Sequence, residues 1–438
     1  MTTAISILVF FSVFAAIFFN LIERKIAVLS GAGALLLLGS ISGTYTPLMA
    51  LESVYFETLT LIFGMSIISS ILARSGLFNH IAIRIASHSL GNGWWVLILF
   101  SLITYGLSLL INNLSAMVVI LPITLSICLL IRINPIPVLI AGIIASNLGG
   151  ASTMVGDFPN MIISSAGHLH FIDFISSMMV PCLILLAAML LYFQWRQPIP
   201  CNRTSSIPTN EELSQLTDNT SDIDDYLKRL GLSLLLLTLI GFLLADSFAV
   251  RPAWIAFCTG IIGLILGRFK SDRLFSACGG SDILFFGALF IMVGALVATD
   301  VLSSIVWLID SISAGNHSAQ LVLLMWIAAI TTIFLNAGPA TAFFIPVAAS
   351  LHGISPDPAI WWALSLGVLA GSSAALTGAT AGSIAATQLD EFLHRHTDMH
   401  QFIPKGEALD FRSYLSWGLP IMGIFLALST FYILIIAR

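Results

Sequence analysis

From residue 4 to residue 437 the chain is a succession of apolar runs, most of them about 20 residues long, parted by short polar joints. A run of that length matches the thickness of a bilayer's hydrocarbon core, and in hydrocarbon every backbone amide and carbonyl must be satisfied within the chain. Only 9% of the 438 residues are charged, against about a quarter in a soluble domain. Lipid is therefore the main solvent, and the fold class expected is an all-α polytopic membrane protein. The net charge is −5 and the basic residues are scattered, so the footprint of a nucleic-acid binder is missing. Cys128, Cys182, Cys201, Cys258 and Cys278 lie far apart with no CxxC spacing, which implies neither a disulfide framework nor a zinc site.

Run length places spans near 4–22, 25–42, 58–73, 136–165, 174–195, 229–246, 252–267, 282–299, 359–388 and 412–437. The first run has no basic residue before it and Glu23, Arg24 and Lys25 directly after it. That charge order is the reverse of a secretory signal, so the run reads as a spanning helix. Two further stretches, 94–131 and 319–349, are too long for one helix and carry polar kinks, Asn112-Asn113 in one and Asn336-Ala337-Gly338-Pro339 in the other. Each reads as a re-entrant hairpin whose tip faces a cavity, because irregular backbone at membrane depth needs protein or water around it. Residues 196–228 hold three prolines, many Ser, Thr and Asn, and a cluster of acids, which is linker chemistry.

The two sides of that linker, 1–195 and 229–438, repeat one pattern. Ile111-Asn112-Asn113 through Pro122 aligns without a gap on Leu335-Asn336-Ala337 through Pro346. With a shift of two, Gly149, Gly156 and Ile162 fall on Gly371, Gly378 and Ile384, and with a shift of one Phe63-Gly64 falls on Phe286-Gly287. Five spans per copy is an odd number, so the second copy is expected upside down relative to the first. Cytoplasmic loops collect Lys and Arg. Tracing alternate sides puts all of the 17 basic residues except Arg251 and Arg438 on one face. That face is read as cytoplasmic, with the linker on it and both termini on the other side.

The segment Gly149-Gly150-Ala151-Ser152-Thr153-Met154-Val155-Gly156-Asp157-Phe158-Pro159-Asn160 interrupts an apolar span with glycines, a proline and polar side chains. Such residues break a helix and free its end groups to meet an ion. Its counterpart, Gly371-Ser372-Ser373-Ala374-Ala375-Leu376-Thr377-Gly378-Ala379-Thr380-Ala381-Gly382-Ser383, has hydroxyls and glycines but no acid. Asp157 is the one formally charged residue placed well inside a span, where a carboxylate is costly and marks function; it also suits the cap of a second half-helix. Asn112, Asn113 and Asn336 suit a hairpin turn or contact with solute, and both copies set Asn at the same point. The candidate ion-binding set is Asn112, Asn113, Ser115, Thr153, Gly156, Asp157, Asn160, Asn336, Thr341, Ser373, Thr377 and Gly378, although hydroxyls in membrane helices often bond their own backbone. His394, His396 and His400 with Asp390 and Glu391 read as a solvated loop. Trp94, Trp95, Trp361 and Trp362 read as headgroup anchors.

These tips and breaks resemble the ion transporter superfamily of arsenite efflux pumps, citrate and dicarboxylate carriers, one type of sodium/proton antiporter and the pink-eyed dilution protein. The resemblance covers essentially the whole chain. It implies a scaffold with a mobile domain of two hairpins and two broken helices moving as an elevator, commonly in a homodimer. It also implies that Asn112, Asn113, Thr153 and Gly156 lie by one cation site, and Asn336, Thr377 and Gly378 by its partner. The tips here read Asn112-Asn113-Leu114 and Asn336-Ala337-Gly338 instead of the Ser-Asn-Thr of the dicarboxylate branch. The function expected is ion-coupled secondary transport of a cation, Na⁺ or H⁺, with no other cofactor. Alternatives are efflux of arsenite or another inorganic anion, dicarboxylate or citrate transport, a passive channel and a transport-related assembly factor. The expected setting is a bacterial-type inner membrane or a specialised organelle membrane such as the magnetosome. An enzyme is not expected: Gly156-Asp157 lacks the first glycine of a GxGD protease motif, and no HExxH, GxSxG or P-loop spacing occurs.

Overall fold

A computed structural model describes residues 2–19, 21–86, 92–196, 224–379, 381–404 and 408–436. Most of the linker, together with Thr380, Lys405 and Arg438, lies outside the described residues, as does the side chain of His400. The first half contains α1 (Thr2–Phe18), α2 (Arg24–Ser42), the short α3 (Pro47–Glu52), α4 (Phe56–Arg74), α5 (Leu77–Ala86), α6 (Gly93–Ser108), α7 (Asn113–Leu130), α8 (Pro135–Ala151), α9 (Phe158–Gly167) and α10 (Phe171–Arg196). The second contains α11 (Asp225–Leu244), α12 (Pro252–Leu266), α13 (Gly280–Ala298), α14 (Val301–Ser313), α15 (His317–Leu335), α16 (Ala337–Ile354), α17 (Ala359–Ala374), α18 (Gly382–Arg395) and α19 (Phe411–Ile436). Nine of the described helices are long and apolar enough to cross a membrane, and no described residue is in a strand.

Helix starts follow local chemistry. Pro135 and Pro252 occupy first-turn positions where the missing N–H costs nothing. Asn92, Asn134 and Asn316 cap α6, α8 and α15 by accepting the amides of Trp94, Ile136 and Ala319 at 2.9, 3.1 and 3.1 Å. Each kinked run is two helices joined at its polar kink, with Asn112 and Asn336 at the joints. α15 and α16 are each long enough to cross on their own, so length does not decide whether that hairpin turns back. Two helices that run length leaves as connections, α5 and α14, are too short to cross and follow α4 and α13 at matching places.

Packing repeats with the halves exchanged. α4 of the first half lies on α12 of the second, and α13 lies on α2; α7 meets α18, and α16 meets α9. Within each half α6 packs on α8 and α15 on α17. Glycines set these distances. A Cβ on Gly149 would stand 2.3 Å from the Tyr105 carbonyl oxygen, and one on Gly371 2.2 Å from that of Ala329. The matched positions differ by the two offsets of the sequence alignment, 224 in the hairpin and 222 in the broken helix.

The centre of the molecule is α8 against α17, and every residue of both helices is buried. Their glycines allow the flanking helices to come close, Gly149 of α8 against Tyr105 of α6, and Gly367 and Gly371 of α17 against Met325 and Ala329 of α15. Trp361 and Trp362 are corrected by this packing. They open α17 inside the protein at 3% and 4% exposure, with Trp362 edge-on to Phe174 at 5.0 Å, so they are core residues instead of headgroup anchors. Trp95 is half exposed.

Candidate functional site

The first half breaks its central span between α8 and α9, and the tip between α6 and α7 is held against that break. Thr153 does most of the joining: its hydroxyl donates to the Leu109 carbonyl at 2.9 Å and accepts the Gly156 amide at 3.1 Å. The Asn113 amide donates to the Gly156 carbonyl at 3.2 Å. Gly156 is needed for this approach, since a Cβ there would lie 2.2 Å from the Ser108 carbonyl oxygen. Asn112 caps α7 by accepting the Ser115 amide at 2.8 Å, and Ser115 itself is half buried just past the tip.

Asp157 sits at the start of α9, where one carboxylate oxygen accepts the Phe158 amide at 2.9 Å. Among the described residues it is the one acidic or basic side chain that is buried, at 6% exposure. The Asn113 side chain faces it. Asn160 closes the broken end of α8: its amide donates to the carbonyls of Gly150, Ala151 and Thr153 at 3.3, 2.9 and 2.9 Å. The two hydrogens of that amide are thus shared among three carbonyls that the break sets free, the Gly150 contact being the longest.

Two residues not foreseen from sequence complete this cluster. Ser365 on α17 donates to the Asn160 side-chain oxygen at 2.8 Å, and Asn147 on α8 donates to the Ser372 carbonyl at 3.3 Å while accepting from Asn113 at 3.4 Å. Asn147 carried a signal, an amide two residues before Gly149 in an otherwise apolar run. Ser365 carried none. Between them lies a small cavity with room for about one water-sized sphere, roughly 10 Å³, bordered by Asn147, Asp157, Asn160, Ala337, Ser365 and Ser372.

The second half makes the same backbone joints with different side chains. The Ala337 amide donates to the Gly378 carbonyl at 3.2 Å, and the Thr377 hydroxyl reaches the Ile333 carbonyl at 3.3 Å. Asn336 donates to the Thr377 carbonyl at 2.9 Å from a backbone at φ 72°, ψ 159°, a region used almost only by glycine. The hydroxyls of Thr341 and Ser373 are taken by Ala337 and Leu369 carbonyls of their own helices at 2.8 and 2.9 Å. Asn113, Thr153, Gly156, Asp157 and Asn160 therefore converge on one break, and Asn336, Thr377 and Gly378 on the other.

Two larger cavities flank the breaks. One, about 640 Å³, runs from Glu23 and Arg24 past Phe158 and Phe286 to Asn336, Pro339 and Thr377. The other, about 590 Å³, is bordered by Glu57, Ser164, Ser165, His170, Asp246 and Arg251 and includes neither tip asparagine of the first half. Each has a cross-half ion pair: Arg24 with Asp282 at 3.1 Å in the first cavity, and Arg251 with Glu57 in the second. His170 and Asp246 also pair across the second.

The sequence profile of the citrate transporter family, CitMHS, matches residues 13–367. The chain is 49% identical to "Magnetosome protein MamN" of Magnetospirillum gryphiswaldense over 99% of both chains. It is 26% identical to the human "P protein" over 97% of this chain and 58% of that one. Among solved structures it is similar to the YdaH transporter of Alcanivorax borkumensis, described as having an unusual topology; the TM-score is 0.57, coverage is 91% and 87% of the two chains, and identity is 14%, a likeness of fold. With apolar helices throughout, two joined breaks at the centre and that profile spanning most of its length, the chain belongs to the citrate transporter family of the ion transporter superfamily and is a multi-pass membrane transporter.

Proposed function

We propose that the chain is an ion-coupled secondary transporter that exchanges a monovalent cation, Na⁺ or H⁺, through the break at Asp157. The observation that carries this reading is the burial of Asp157 at a helix break, beside a cavity of about one water and with a neutral Asn113 facing it. A buried carboxylate without a basic partner holds its charge at a large cost, and a bound cation or proton removes that cost. The test is proton-coupled cation exchange in everted vesicles. Asp157→Asn abolishes it while the protein still elutes as a folded species, and undiminished exchange would remove Asp157 from the mechanism.

The proposed arrangement is two inverted copies, with the two hairpins re-entrant and the linker cytoplasmic. The exchanged packing of α4 with α12 and α2 with α13 supports the duplication. In this orientation the 640 Å³ cavity, which begins at Glu23 and Arg24, opens to the cytoplasm and reaches the second tip. The interlocking of α7 with α18, α9 with α16 and α8 with α17 supports one body that moves against a scaffold as an elevator. Cysteines at positions 210 and 400 should label from the same face; labelling from opposite faces overturns the inversion.

Organic polyanions suit the site poorly. Among the described residues the one basic side chain bordering the 640 Å³ cavity is Arg24, already paired with Asp282, and the remaining walls include Phe14, Phe18, Phe158, Phe285 and Phe286. The 49% identity to a magnetosome protein supports a place in such a specialised membrane.

A further inference from the structure

The small cavity beside Asp157 and the 640 Å³ cavity lie back to back. Asp157 and Pro159 border the small one, whereas Phe158, between them, borders the large one. The second tip alternates in the same way: Ala337 borders the small cavity, and Asn336 and Gly338 the large one. The partition is therefore one residue thick on each side. It is also a seam, since α9 and α16 come from different halves and meet there by packing alone. Phe286, on α13, covers that seam from the large cavity. Its ring lies 5.1 Å from that of Phe158, and a Cβ on Gly338 would stand 2.8 Å from it. Phe158 and Phe286 are each 3% exposed. Behind Phe286 stand Phe290, at 6.4 Å, and then Tyr55, 5.2 Å further on, so rings of the proposed scaffold hold it in place. The matched residue of the first half, Phe63, pairs instead with Phe257 on α12 at 5.5 Å.

We propose that Phe286 is a positioning residue for transport: its ring shuts the seam between α9 and the second tip, so that ions in the 640 Å³ cavity reach Asp157 only when the tip draws away from it. This rests on the reading of Asp157 as a cation site. An apolar constriction stops an ion because the ion would have to shed its water with nothing to replace it. Asn336, the polar side chain at that stretch of the tip, spends its amide on the Thr377 carbonyl at 2.9 Å, which leaves the two rings and the Gly338 backbone to close the seam. Coupled exchange requires that Asp157 is never open to both sides at once. A ring fixed on α13 gives the returning tip a stop to close against, and Gly338 is what lets the two surfaces meet.

The experiment uses the full chain in liposomes with a pH-sensitive dye inside and a pH gradient imposed in choline thiocyanate, which supplies no alkali cation and whose permeant anion balances the charge of a moving proton. The wild type is expected to hold the gradient as protein-free liposomes do. Phe286→Ala is expected to dissipate it about tenfold faster, because a constriction that has become wet no longer excludes ions. Phe286→Leu keeps most of the apolar cover and is expected to hold the gradient. Adding Asp157→Asn to Phe286→Ala is expected to stop the leak, since the leak passes through Asp157. A Phe286→Ala protein that holds the gradient, or a leak that persists in the double variant, overturns the seal; the cation site is then judged separately, by the exchange that Asp157→Asn alone retains. If Phe286→Ala elutes as an aggregate, Gly338→Ala decides in its place: its methyl parts the ring from the tip, and a gradient held by that variant overturns the proposal. A wild type that leaks as fast as Phe286→Ala overturns both the seal and coupled exchange.

Discussion

The two breaks share their joints and differ in their chemistry. In each, the amide after the tip asparagine meets the carbonyl of the matched glycine at 3.2 Å, and a threonine hydroxyl ties the break to the helix before the tip. The first break then adds Asp157 and Asn160, where the second has Ala379 and Gly382. The second tip has instead a backbone twist at Asn336 that Asn112, at φ −60° and ψ 144°, does not need. The two matched segments thus share the contacts that hold a broken helix together and differ in the side chains proposed to meet the ion.

That comparison can be broken most sharply at the matched glycines. Gly156→Ala should destabilise the protein by about 3 kcal/mol, because the new methyl meets Ser108 backbone at 2.2 Å. Gly378→Ala should cost under about 1 kcal/mol, its nearest neighbour standing at 3.1 Å. Thermal unfolding in detergent, with the two variants side by side, measures the difference, and equal losses would mean that the breaks are not packed differently. The threonines follow with a smaller contrast. Thr153→Val removes two hydrogen bonds and should cost about 2 kcal/mol, whereas Thr377→Val removes one long bond and should cost about half as much. The finest comparison is at Asn336. Glycine there relieves the backbone while losing the bond to Thr377, for a net change under about 1 kcal/mol; alanine keeps the strain and loses the bond, lowering stability by about 2 kcal/mol. A ranking with alanine above glycine would show that the twist costs nothing.

Much of this was legible in the residues. Most span ends fall within a few residues of the helix ends because hydrocarbon thickness fixes run length and prolines and asparagines mark the starts; the exception is 359–388, since α18 runs on to Arg395 and takes Asp390, Glu391 and His394 out of the expected loop. The alignment offsets recur in the packing of Gly149 and Gly371 because, where two backbones touch, any side chain larger than hydrogen would clash. The rest depends on which helix faces which. α5 and α14 are too short for a run-length signal, and Trp361 and Trp362 look like interface residues until α17 proves to have no lipid side. Ser365 is one hydroxyl among many, and only the approach of α17 to α9 singles it out. Thr341 and Ser373 looked the same in sequence, yet each spends its hydroxyl on its own helix.

α8 and α17 have no face turned to the bilayer, and this bears on how the protein is made. During synthesis α8 enters the membrane more than 200 residues ahead of α17, and until α17 arrives the flank that carries Asn147 has no mate. An amide left in hydrocarbon is costly, so the nascent first half must shelter that flank by leaning on its own neighbours or on the insertion machinery. Two separately expressed halves would each carry an uncovered seam, and should recover activity only when produced together.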